Sequence, residues 1–192
     1  MNRLLPAVAL LATAIPFQAH ASGDYEYPYS GIGGGTASLA DACDDQGSGC
    51  DDEATAFRVY SGARLLSNFG VEVGYTQSED FELNDTSGTE LSLRGLDVTG
   101  LVHLALGSRA DVFAKAGGFF WDSELEDGSA TVDETGVSLR TGVGAQIGVT
   151  EHLYIRADYD YIPNVDYSNG AMGGTLPEDD LSLISGSIQY HF

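Results

Sequence analysis

The chain has 192 residues, with 8 Lys+Arg against 29 Asp+Glu and a formal net charge of −21. That balance excludes nucleic acid and anionic surfaces as partners held by charge alone, and the length fits one domain. Gly is abundant at 25 residues, Pro is scarce, and no stretch sustains the 3.6-residue apolar period of a helix, so an all-β chain is expected.

The first residues carry a leader signature. "MNR" is a short basic segment, "LLPAVALLATAIPF" is apolar, and Ala19-His20-Ala21 fits the small-x-small rule for signal cleavage. The apolar run is too short to cross a bilayer as a helix. Residues 1–21 are therefore expected to be a cleaved signal peptide and 22–192 one exported domain. The next landmark is "DACDDQGSGC", with the only two cysteines, Cys43 and Cys50. An exported compartment is oxidising, so these two are expected to form a disulfide. A zinc site would need further thiol or imidazole ligands, and no His is near in sequence.

Eight period-two runs follow in chain order, at about 28–38, 55–65, 69–77, 91–104, 111–121, 136–149, 153–162 and 181–192. The connections "LSN", "ALGSRA" and "TEH" are short. Those at 39–54, 78–90, 122–135 and 163–180 are long. Short and long alternate, which places all long loops at one end of an up-and-down sheet. The even strand count puts both chain ends at the other.

Most strands sort cleanly by face. Phe69, Val71, Val73 and Tyr75 oppose Gly70, Glu72 and Gly74. Val137, Leu139, Val143, Ala145 and Ile147 oppose Ser138, Arg140, Gly142, Gly144 and Gln146. Ile155, Ala157, Tyr159 and Tyr161 oppose Tyr154, Arg156, Asp158 and Asp160. Ile184, Ile188, Tyr190 and Phe192 oppose Ser185, Ser187, Gln189 and His191. The first run is Gly-rich and ambiguous. Alternation does not say which face points inward: a soluble ligand-carrying barrel would turn the apolar set in, a membrane barrel would turn it out. Charges of both signs on the polar face, aromatics near strand ends (Tyr75, Phe120, Tyr161, Tyr190, Phe192) and long loops at one end favour the membrane. A last strand that closes the barrel leaves no free edge, which hydrocarbon would not tolerate.

The chain resembles the small eight-stranded outer-membrane barrels, the OmpA-type transmembrane domain and its opacity-type relatives. The likeness rests on "NFGVEVGYT" at 68–76, "DVFAKAGGFFW" at 111–121, "GVSLRTGVGAQIGVTEHLYIRADYDYI" at 136–162 and the terminal "SIQYHF". It implies an antiparallel up-and-down barrel in the outer membrane of a Gram-negative bacterium, reached through the periplasm. It implies lipid and lipopolysaccharide as surroundings, and a structural or adhesive role rather than an enzymatic one. Tyr190 and Phe192 resemble the C-terminal signal by which the barrel assembly machinery recognises its substrates.

On the polar face stand Arg58, Arg64, Lys115, Arg140 and Arg156 with Glu72, Asp97, Asp158 and Asp160. The plain reading is an ion-pair network that fills a narrow lumen; a gate or proton site is the sharper one. Charges facing lipid at mid-depth would each cost about 2–4 kcal/mol, so inward is cheaper. Arg94 falls in the apolar register and is expected to lie above the membrane or at a bulge. The four long connections hold 21 of the 29 acids and no Lys or Arg. That is either a solvated exterior or a place for divalent cations, directly or shared with lipopolysaccharide. An EF-hand does not fit, because starting at Asp41 places Gln46 where Gly is required. Catalysis on outer-leaflet lipid A needs a His base near a nucleophile. His103, His152 and His191 all fall at the expected periplasmic end, so no catalytic residue, cofactor or metal site is assigned.

Overall fold

The structure, a computed structural model, describes residues 27–40, 53–79, 81–84, 89–127, 130–165 and 179–192. Within them lie nine strands: β1 Tyr27–Leu39, β2 Glu53–Leu66, β3 Phe69–Ser78, β4 Phe81–Asn84, β5 Thr89–Ala105, β6 Ala110–Asp127, β7 Ala130–Gly148, β8 Leu153–Val165 and β9 Asp179–His191. Neighbours pair antiparallel in the order β3-β2-β1-β9-β8-β7-β6-β5-β4, and a β3–β5 pairing closes the sheet on itself. β4 pairs only with the start of β5. Eight strands therefore make the wall of an up-and-down barrel. The expected leader at 1–21 and the Cys43–Cys50 pair lie outside the described residues.

Closure runs along β1 and β9, from Tyr29 opposite His191 to Leu39 opposite Leu181. The amide of Phe192 donates to the Pro28 carbonyl at 3.0 Å, so the ladder extends to the last residue. Three tight connections lie at this end of the barrel. In the one joining β5 to β6, Gly107 has φ +135°, a conformation open to glycine and strained for other residues. The other four connections join strands at the opposite end; that between β6 and β7 is only 128–129, and the other three are longer.

The apolar faces point outward. Val73, Leu96, Val98, Leu139, Val143, Ile155, Ile184 and Ile188 are each more than half exposed on the isolated barrel. A water-facing surface of this kind would be an aggregation liability; against hydrocarbon it is the satisfied state. This outward face removes the alternative of a soluble ligand-carrying barrel.

The Gly-rich first strand turns Gly31, Gly33 and Gly35 inward. Gly31 pairs with Tyr60, whose ring occupies the space that a Cβ at 31 would need. Gly62 does the same for Tyr29, and Gly74 for the Arg58 guanidinium. An eight-stranded lumen is only wide enough for side chains, so a long residue on one strand requires none on the next.

Two expected loops are in part strand. β6 and β7 continue their ladder through Asp122 opposite Thr135 to Asp127 opposite Ala130, where one long connection over 122–135 is the sequence expectation. The stretch 81–84 forms β4 inside the expected loop 78–90. Both lie above the apolar band. A strand there has no lipid face, so it lacks the alternation that marks the others.

Candidate functional site in the barrel lumen

The inward side chains form three levels. At the middle level lies a closed ring of alternating charges. Arg58 reaches Glu72 at 3.0 Å and Asp97 at 2.9 Å. Arg140 takes the other Asp97 oxygen at 2.9 Å and reaches Asp160 at 2.8 Å. Lys115 joins Asp160 at 2.9 Å to Asp158 at 2.7 Å. Arg156 joins Asp158 at 2.7 Å to Glu72 at 2.6 Å and completes the circuit. Four cations and four carboxylates alternate, and each touches two of the opposite sign. The ring is neutral and fully buried.

Aromatic rings line the circuit. The Tyr60 ring lies 4.6 Å from the Arg156 guanidinium carbon and 5.5 Å from that of Arg58, and Phe113 lies 4.4 Å from the former. The Tyr29 hydroxyl donates to Glu72 at 3.1 Å. Such contacts hold the guanidiniums in place without adding charge. A buried ion pair repays its desolvation only when geometry and further hydrogen bonds are good, and here every carboxylate is shared between two cations.

The periplasmic level is a separate cluster. Asp111 accepts from Gln146 at 3.0 Å, pairs with His103 Nδ1 at 2.8 Å and stands 3.7 Å from Arg64. His191 stacks on Tyr154 with centroids 4.1 Å apart and on Tyr29 at 5.6 Å. Gln189 ties this level to the ring: its amide donates to Gln146 and its oxygen accepts from Tyr60 and Arg156.

The extracellular level is apolar. Leu39, Leu93, Phe119, Trp121, Ile162, Leu181 and Leu183 fill it with three small residues, Ala37, Ala54 and Ala56. The Trp121 indole donates to Ser138 at 2.9 Å. A cavity within this level, lined by Thr76, Ser78, Phe119 and Leu183 among others, holds about 10 Å³, no more than one water-sized sphere.

Of the nine charges read as one network, the structure brings eight together in the ring. Arg64 stands apart on Asp111. Asp111, which brings the inward charges to five of each sign, escaped the sequence reading. Its place in the same register as Lys115, four residues on, is the signal that could have shown it. Phe119, Trp121, Leu181 and Leu183 continue the inward register beyond the ring as apolar residues, because there the lumen packs like a soluble core. Arg94 is outward and half exposed, with its Nε donating to Asp122 at 2.8 Å. The ladder passes through Arg94 unshifted, so no bulge is present there. Tyr190 and Phe192 sit on the outer face at the periplasmic rim, with ring centroids 5.3 Å apart.

The strand backbones also set acids beside one another above the membrane. The register places Glu82 opposite Glu90, Glu90 opposite Glu126, and Glu124 opposite Asp133. Among the described residues no group of three or more His, Cys, Asp or Glu converges as a metal site.

Known structures share this architecture. Neisserial surface protein A aligns over 87% of this chain and 97% of its own, with a TM-score of 0.63 and 16% identity. Ail, the attachment invasion locus protein of Yersinia pestis, aligns over 88% and 100%, with a TM-score of 0.60 and 15% identity. The N-terminal barrel of Pseudomonas aeruginosa OprF gives 88% and 98%, 0.57 and 12%. At these identities the likeness is one of fold. No curated protein matches the sequence. The family model of the outer membrane protein beta-barrel domain matches residues 7–192, and the chain belongs to that family, which places it in the outer membrane of a Gram-negative cell.

Proposed function

We propose that this is a non-conducting, non-enzymatic barrel whose work is done at its extracellular end, as an adhesin-like surface-interaction protein or a structural wall element. The observation that carries this reading is the lumen, in which a closed ring of ion pairs lies beneath an apolar level and leaves no room for transport. The three His of the barrel stand at the periplasmic end, with His103 bound to Asp111, far from outer-leaflet lipid. That supports the non-enzymatic reading over lipid A modification.

The chemistry of the outer end selects the partner. The long connections hold 21 acids and no Lys or Arg. Ail is known in complex with the heparin analogue sucrose octasulfate, a polyanion. This chain presents the opposite charge, and its partner is a cationic protein or surface. Divalent cations gather diffusely about the acids and bridge them to lipopolysaccharide, since like charges directly opposite on a ladder repel. Export by a leader at 1–21, and delivery through the assembly machinery by Tyr190 and Phe192, belong to the same proposal.

The test is binding of outer-membrane vesicles that carry the protein to immobilised polylysine and to heparin. The proposal expects salt-sensitive binding to polylysine, lost when the acids of 41–53 become amides, and none to heparin. Preferential heparin binding would overturn it.

A further inference from the structure

The last strand ends on a side chain that faces the lumen. His191 of β9 lies opposite Tyr29 of β1 across the closing seam. Its ring stacks on Tyr29 at 5.6 Å and on Tyr154 of β8 at 4.1 Å. The His191 amide donates to the His152 carbonyl at 2.8 Å, and the Phe192 amide to that of Pro28 at 3.0 Å. The half-buried imidazole thus sits where the ladders on both sides of β9 end.

A chain of hydrogen bonds reaches this ring from two sides, and its direction is fixed at both ends. Arg156 can only donate, so the end of Gln189 it meets at 3.3 Å is the oxygen. The Asp111 carboxylate can only accept, so the end of Gln146 it meets at 3.0 Å is the nitrogen. The Gln146 oxygen is then left to accept from the Gln189 nitrogen at 3.2 Å. That same nitrogen stands 2.6 Å from Nε2 of His191. Gln189 has only hydrogens to offer there, so Nε2 must be a bare acceptor and the single ring proton must sit on Nδ1.

We propose that His191 is a proton-operated latch on the closing seam: neutral, it ties the periplasmic end of β9 to the lumen network, and acid releases it. A proton added at Nε2 sets N–H against N–H at 2.6 Å. Gln189 cannot turn over to accept it, because its nitrogen would then face Arg156 and its oxygen would face the Gln146 oxygen. The other charged and titratable groups about the ring are Arg64 of β2, His103 of β5, Asp111 of β6, His152 in the turn before β8, and the stacked Tyr29 and Tyr154. A cation formed there meets Arg64 as well as Asp111. A proton that binds the unlatched ring better than the latched one drives unlatching, so the latch holds at neutral pH and is lost as pH falls. The charge ring lies beyond Gln189 and keeps its own pairs, so the lumen stays filled while the end of the seam loosens.

The test is solution NMR of the refolded barrel in detergent micelles, with isotope-labelled imidazole nitrogens. At neutral pH the His191 signals are expected to show hydrogen on Nδ1 and a bare Nε2. On acidification, exchange of the Phe192 amide, taken relative to that of Ile188 at the same pH, is expected to rise several-fold, as loss of one hydrogen bond would give. His191→Gln offers a planar amide that accepts from Gln189 but takes no proton, so its ratio is expected to stay flat. His152→Gln, at the outer rim against Tyr190, is expected to respond as wild type does. Heat-modifiable gel migration verifies that each variant is folded, and the tautomer of wild type decides without any variant. A proton on Nε2 at neutral pH, a flat ratio in wild type, or an equal acid response in His191→Gln would overturn the proposal.

Discussion

Arg140 shows what the ring asks of a single residue. It holds Asp97 on one side and Asp160 on the other, with no solvent contact. Truncation to Ala leaves two buried carboxylates each short of a cation. Loss of one partner from a buried pair costs about 3–5 kcal/mol. Arg140→Ala is therefore expected to lower the urea midpoint of the refolded barrel strongly, and removal of Asp160 in the same chain is expected to recover part of that loss. Additive losses in the double variant would show that the two do not interact. Phe192 is the contrasting case, an exposed ring at the rim that touches Tyr190. Its deletion is expected to cost stability of roughly 1.5–3 kcal/mol at most, yet to reduce the amount assembled in the outer membrane severely. Normal surface levels of the truncated chain would count against its role as a signal. At this scale the charges were legible by parity, because a period of two places Arg58, Glu72, Asp97, Arg140 and Arg156 on one face whatever the fold. The inward leucines were not, since apolar residues near strand ends carry no mark of the face they serve; Asp111 was open to the same parity argument through Lys115.

Strands were legible where both faces are constrained. In β7 and β8 the lipid side is mostly apolar and the lumen side polar or small, so the alternation runs from Val137 to Ile147, interrupted on the lipid side by Thr141, and from Ile155 to Tyr161. Above the membrane that constraint ends. The sequence "DSELED" continues β6 as ladder, yet its charge reads as loop. The segment between β1 and β2 holds Cys43 and Cys50, and a disulfide there would close a short loop worth roughly 2–3 kcal/mol by chain entropy. Thiol labelling of the unreduced native protein is expected to modify neither cysteine; two reactive thiols would exclude the bond.

At the scale of the whole molecule the eight wall strands close into a cylinder. Outside, a band of aliphatic residues faces lipid; inside, the charge ring and the apolar level above it fill the lumen; at the seam, β1 and β9 leave no edge. Because every backbone group in the membrane is paired within a closed ladder, the folded barrel is expected to resist detergent and to migrate differently on gels before and after boiling. Identical migration would speak against a closed barrel. The most direct test of the central claim, a sealed lumen, is planar-bilayer recording of the purified protein. The ring and the apolar level together predict no steady conductance in wild type. A large, stable and reproducible single-channel current would contradict the account.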